Sequence, residues 1–166
     1  MISKQHIILG IDPGYDRLGW AVVRHEGSKT VIVISGCIRT SSQDKTYKRY
    51  EHILVELQQI LKQFKPQECG IENLFFEKNA KTAMRVSEAR GLIIGSLLQH
   101  HVEVFDYTPL QIKAAVAGNG RASKQDVRHM LQLLTGHEKL PKLDDEVDAI
   151  ATAFCHAVSR SIRRII

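Results

Sequence analysis

Cysteine is scarce in this chain: Cys37, Cys69 and Cys155 are odd in number and lack paired spacing, which excludes a disulfide or zinc framework. Such thiols read as reduced core residues, and the expected location is the cytoplasm. The eight histidines include no HExxH or comparable ligand spacing, so none is assigned to a metal. No apolar run approaches the roughly 18 residues of a membrane-spanning helix, and a signal-peptide pattern is lacking. Repeats, low-complexity tracts and linkers are missing too. What is left is one expected domain over residues 1–166, long enough to bury a real core. Acids are the scarcer charge: 18 Asp and Glu against 23 Lys and Arg give +5. That balance favours a polyanionic partner such as nucleic acid.

The strongest single stretch is Ile7-Ile8-Leu9-Gly10-Ile11, an apolar run suited to a strand covered on both faces. Asp12-Pro13-Gly14 ends it in a tight turn. Leu18–His25 and Thr30–Thr40 read as two further strands of an antiparallel meander. The period then changes. Tyr47, Tyr50, Ile53, Leu54, Leu57, Ile60, Leu61 and Phe64 mark an amphipathic helix stopped by Pro66. Glu68–Glu72 is a short strand, and Asn73–Asn79 a loop. A second helix, Ala80–His101, carries a ridge of small residues at Ala83, Ser87, Gly91 and Gly95. Two interior glycines cost roughly 1 kcal/mol each against alanine, so they ask for close helix approach within the domain or across a dimer. Val102–Tyr107 is a fifth strand, and Pro109 opens a short helix ending at Gly118-Asn119-Gly120. Ser123 is read as the cap of a helix through Leu134, and Asp144 as the cap of the last helix.

Asp12, Glu72, Asp145 and Asp148 stand out among the acids. Two end apolar strands, and two share a helical face at i and i+3. Each has an ordinary explanation: Asp before Pro-Gly shapes turns, and acids favour the first turn of a helix. Asp148 fits this least, since the apolar run Ala149-Ile150-Ala151 follows it. A cluster of carboxylates repels itself and persists best when divalent cations neutralise it. Oxygen ligands without a His or Cys cluster point to Mg²⁺ or Mn²⁺. Two such ions about 3.5–4 Å apart serve phosphodiester hydrolysis. Phe75 and Phe76, adjacent in the loop after Glu72, are candidate stacking platforms for unpaired bases. Lys113, Arg121 and Lys124 are candidate phosphate contacts around the Gly118-Asn119-Gly120 loop.

The ordered set of motifs resembles the RuvC family of bacterial Holliday-junction resolvases. It runs from Gly10-Ile11-Asp12-Pro13-Gly14 through Ile71-Glu72, Phe75, Phe76 and Asn79 to Glu88-Ala89-Arg90-Gly91. Tyr107, Pro109 and Lys113 follow, then Gly118–Lys124 and Asp145-Glu146-Val147-Asp148-Ala149. The resemblance implies a ribonuclease H-like α/β fold with a five-stranded mixed sheet flanked by helices. It also implies a homodimer that nicks two opposed strands of a four-way DNA junction by Mg²⁺-dependent hydrolysis, alongside RuvA and RuvB. By the same resemblance Asp12, Glu72, Asp145 and Asp148 are the metal-binding acids of a two-ion centre. Phe75 is the ring that stacks at the junction centre, and Lys113 and Lys124 lie beside the scissile phosphate. The chain departs from the family pattern at Leu18, where Thr is common, and at Glu146-Val147, where Ala-Ala is usual. Asp126 also stands where the family has no acid.

Two other readings compete. A sugar-kinase or actin-like phosphotransferase half shares the Gly-x-Asp-x-Gly turn but needs a second glycine motif and about twice the length. A nucleic-acid-binding module keeps the basic surface but leaves Asp12 and Glu72 without compensation.

Overall fold

The computed structural model describes residues 5–73 and 80–163. The meander is formed by β1 (His6–Asp12), β2 (Arg17–Glu26) and β3 (Lys29–Arg39), followed by helix α1 (Thr46–Phe64). Next come β4 (Glu68–Glu72), α2 (Ala80–Gln99) and β5 (Glu103–Tyr107). Helices α3 (Pro109–Ala117), α4 (Lys124–Thr135) and α5 (Asp144–Arg163) complete the order. The strands lie in one sheet in the order β3-β2-β1-β4-β5. β1 pairs antiparallel with β2 and parallel with β4, so the sheet is mixed as expected.

Alternation along each strand sends its residues to two cores. Leu9, Ile11, Leu18, Val22, Cys69 and Ile71 face α1 and α2, where Ile53, Leu57, Ile93 and Leu97 cover them. Ile8, Ala21 and Val23 face α5, against Ile150, Ala153 and Phe154. Leu18, where the family pattern differs, is fully buried in the first of these cores. Cys69 and Cys155 are buried free thiols, as read; Cys37 is only partly covered.

Strand ends and the end of α4 fall within one residue of expectation, and two other helix ends differ for reasons visible in the backbone. α2 stops at Gln99 because His101 takes a left-handed backbone (φ 57°) and the Val102 N–H returns to the Leu97 carbonyl. Asp144 is not a cap but the first residue of α5: the Val147 N–H donates to the Leu143 carbonyl, so the helix begins one residue earlier.

What seats α5 is the lack of side chains beneath it. A Cβ on Gly10 would lie 2.2 Å from the Ala149 carbonyl oxygen, and one on Gly19 only 1.9 Å from that of Asp145. Backbone cannot yield at such distances. Gly19→Ala should therefore lift the start of α5 off the sheet, at an overpacking cost of about 1–3 kcal/mol. Thermal unfolding should show a drop of several degrees, since each kcal/mol moves the midpoint by about 2–4 °C at this size. An unchanged midpoint would mean that the helix does not rest on Gly19.

Candidate active site

Ile11 pairs with Ile71 across the parallel β1/β4 ladder, so Asp12 and Glu72 leave the sheet side by side. Both share the parity of Gly10 and Gly70, whose added Cβ atoms would meet α5, so both carboxylates point to the α5 side. The contact at Gly19 brings Asp145 to the same corner, and Asp148 follows one turn later. Glu72 and Asp148 open onto a cavity of about 220 Å³ with Lys113 and Lys124 in its wall. Pro109, Ile112, Val127 and Ala151 supply its apolar lining.

Burial and mutual repulsion dominate the electrostatics. The Asp12 carboxyl is pushed up to about 8, first by burial and then by Glu72, Asp148 and Asp145, with Lys124 opposing. Glu72 rises to about 7 through burial and the Asp148 charge, against Lys124 and Lys113. Asp148 is raised as well, chiefly by burial, although Lys124 pulls the other way. Glu68, on the same strand and face, shows what compensation does. Burial alone would raise it, yet hydrogen bonds from Arg160 and His156 hold it below the usual range. No such arginine serves Glu72 among the described residues.

Lys124 is the first residue of α4, behind a capping box in which Ser123 and Asp126 bond reciprocally. Its Nζ lies 3.4 Å from Asp148 and 3.5 Å from Asp144. Lys113 reaches the same cavity from α3. Arg121 is exposed in the turn before α4, outside the cavity wall. Phe75 and Phe76 lie outside the described residues. The sequence reading missed Arg17, whose Nε stands 3.3 Å from Asp145 Oδ2. A clue was present, since Arg17 has the same strand parity as Gly19 and Ala21.

The acids suit divalent cations. Asp145 Oδ2 is buried and accepts no hydrogen bond despite its ion pair with Arg17, which leaves a lone pair for another ligand. Among the described residues no three of the acids close into a protein cage by themselves. Mg²⁺ does not require one, because it commonly keeps water and phosphate ligands beside one or two carboxylates.

The family model for RuvC, crossover junction endodeoxyribonuclease, matches residues 8–156. The chain belongs to the RuvC family. Alkaliphilus metalliredigens RuvC is 45% identical over 153 residues, covering 92% of this chain and 93% of the relative. Petrotoga mobilis RuvC is 45% identical over 150 residues, or 90% and 92% of the two chains. The structure of Thermus thermophilus RuvC in complex with Holliday junction substrate superposes with a TM-score of 0.91. It is 30% identical and covers 95% of this chain and 96% of that one. The enzyme is thus a crossover junction endodeoxyribonuclease that resolves Holliday junctions. Nucleases of the RuvC family depend on divalent metal. The phosphotransferase and binding-module readings fall away.

The departures from the RuvC pattern have local explanations. Glu146 accepts a 2.7 Å hydrogen bond from Ser35 on β3, and Asp144 pairs with Lys124 and with Arg128 at 3.6 Å. Each therefore has a protein partner of its own. Asp126 takes both the N–H and the hydroxyl of Ser123 and so completes the capping box of α4, which accounts for an acid beside a basic loop.

Proposed function

We propose that Asp12, Glu72, Asp145 and Asp148 are the catalytic acids and together hold two Mg²⁺ ions, with Mn²⁺ able to replace them. The carrying observation is that Asp12, Glu72 and Asp148 sit half-buried together at one corner of the sheet, with their proton affinities raised. Ions bound there would supply water activation and charge stabilisation of the leaving oxygen. Lys113 and Lys124 bring positive charge to the scissile phosphate, and Arg121 meets the DNA backbone further out. The substrate is a four-way junction, the substrate class named for the Thermus thermophilus complex.

A homodimer presents two such sites to opposed strands. α2 supports this reading: a Cβ on Gly91 or Gly95 would meet nothing within 4 Å, and both glycines are exposed along with Met84 and Leu98. The small-residue ridge therefore faces outward, where a second copy can approach it closely. We read residues 1–166 as one nuclease domain acting in the cytoplasm with RuvA and RuvB. Among the described residues no helix is long and apolar enough to cross a membrane.

The test compares four-way and linear DNA in Mg²⁺ and in EDTA. Paired nicks on opposed strands, confined to the junction and to Mg²⁺, are expected. Equal cutting of linear duplex, or cutting in EDTA, contradicts the reading. Phe75 and Phe76 are proposed to contact bases at the opened junction centre, with Phe75 as the main platform. Base–aromatic stacking is worth about 1–3 kcal/mol, so Phe75→Ala should slow junction cleavage by about 5–150-fold. Phe75→Trp should retain most of the rate. A lowered melting temperature with normal cleavage below it would place the ring in the core instead.

A further inference from the structure

Two arginines on the opposite face of the sheet bind the chain just after the acids: Arg49 holds Tyr15 and Asp16, three and four residues beyond Asp12, and Arg90 holds Asn73, next to Glu72. Arg49, in the first turn of α1, is only 7% exposed. Its Nε donates to Thr40 Oγ1 at 2.8 Å, and its terminal nitrogen donates to the Tyr15 carbonyl at 3.4 Å and to the Asp16 carboxylate. The guanidinium lies 3.7 Å from the centroid of the Tyr15 ring. Thr40 closes the loop by donating to the same Tyr15 carbonyl at 2.8 Å. Tyr15 also meets Tyr50 edge-on at 5.4 Å, and Tyr50 donates to Glu88 on α2. A buried cation at a helix N-terminus opposes both the helix dipole and desolvation. α1 has no acid in its first turn to offset it.

Arg90 repeats the arrangement from α2. It donates to Asn73 Oδ1 at 3.2 Å and to the Asp106 carboxylate on β5. The Asn73 N–H in turn donates to the Tyr107 carbonyl at 2.8 Å. The chain leaving Glu72 is thus tied to α2 and β5 together.

We infer that Arg49 and Arg90 are positioning residues that hold the Asp12 and Glu72 carboxylates in register for metal binding from behind the sheet. The inference rests on the proposed role of those two acids. A planar fork that bonds several oxygens at once fixes a turn in a way an ammonium does not, so lysine is an informative replacement. Neither arginine is placed against substrate or metal.

The experiment measures Mn²⁺ binding by calorimetry, junction affinity in EDTA and single-turnover cleavage, well below each variant's melting temperature. Arg49→Lys and Arg90→Lys should weaken Mn²⁺ binding by about 10–100-fold. Cleavage should slow by up to about 10²-fold, the usual effect of misplacing a group by an ångström. Junction affinity should not change. Asp16→Asn, altered on an exposed carboxylate, should fold normally and shift both readouts in the same direction by less. Arginine variants that melt early but bind Mn²⁺ and cleave as wild type below that point would overturn the inference. Asp12→Asn run in parallel separates the two ideas. If it loses Mn²⁺ binding while both lysine variants keep it, only the positioning role fails. If it binds Mn²⁺ and cleaves normally, the proposed site fails and the inference with it.

Discussion

Asp12→Asn, Glu72→Gln, Asp145→Asn and Asp148→Asn should each reduce junction cleavage to background while leaving junction binding nearly intact. The amides keep shape and remove charge. Asp12 and Glu72 have their carboxyls pushed up to about 8 and about 7, so they depend on a cation for ionisation and the loss of activity at these two should be complete. DNA affinity comes mainly from phosphate contacts by basic side chains, which these substitutions leave in place. Removing an acid from a repulsive cluster should even tighten binding slightly at low salt. Cleavage of labelled junctions and gel-shift titrations in EDTA measure the two quantities. Near-wild-type cleavage by any one variant would remove that residue from the site. Asp144→Asn and Glu146→Gln are the informative controls. Their carboxylates face Lys124 with Arg128, and Ser35, respectively, so both variants should cleave.

The second large effect is on stability. Asp12 titrates near 8 in the folded, metal-free chain and near 3.8 when unfolded, and Glu72 near 7 against 4.5. Between those limits the folded state holds protons that the unfolded state has released, so stability falls as pH rises. The contribution is full below about pH 4 and gone above about pH 8. Thermal midpoints in EDTA should therefore decline from pH 6 to pH 9. Asp12→Asn should melt several degrees higher than wild type at pH 9, because its buried amide carries no charge. Saturating Mg²⁺ should raise the wild-type midpoint at pH 9 and leave the variant nearly unmoved. Glu68 does not blur this window, since its lowered carboxyl loses its contribution only as the medium turns acid. A wild-type midpoint that is flat with pH and matched by the variant would contradict the picture.

Local pattern made much of this architecture readable. The period of two in β1 and β4, the period of 3.6 in α1 and the Ser123 cap all depend on residues close in sequence. Those elements formed where expected, with two strand ends carrying acids. The seating of α5 was not readable in that way. It needs Gly10 and Gly19 to meet the backbone of residues 149 and 145, a contact between distant segments. For the same reason Arg17, Arg49 and Arg90 drew no notice: their partners lie 128, 33 and 17 residues away or are backbone carbonyls. The partner of Glu146, Ser35, is likewise 111 residues distant. The resemblance to RuvC carried the identities of the acids across these gaps, where spacing alone left each with an ordinary cap or turn reading.

The central claim is that four carboxylates, two from strand ends and two from α5, form one divalent-metal centre. The most direct measurement is anomalous diffraction from crystals of the full chain grown with Mn²⁺ and an uncleavable four-way junction. Two Mn²⁺ peaks about 3.5–4 Å apart, bounded by Asp12, Glu72, Asp145 and Asp148 and by one phosphate, are predicted. Mn²⁺ bound elsewhere on the chain, or held by Asp144 or Glu146 with that corner of the sheet empty, would contradict the account.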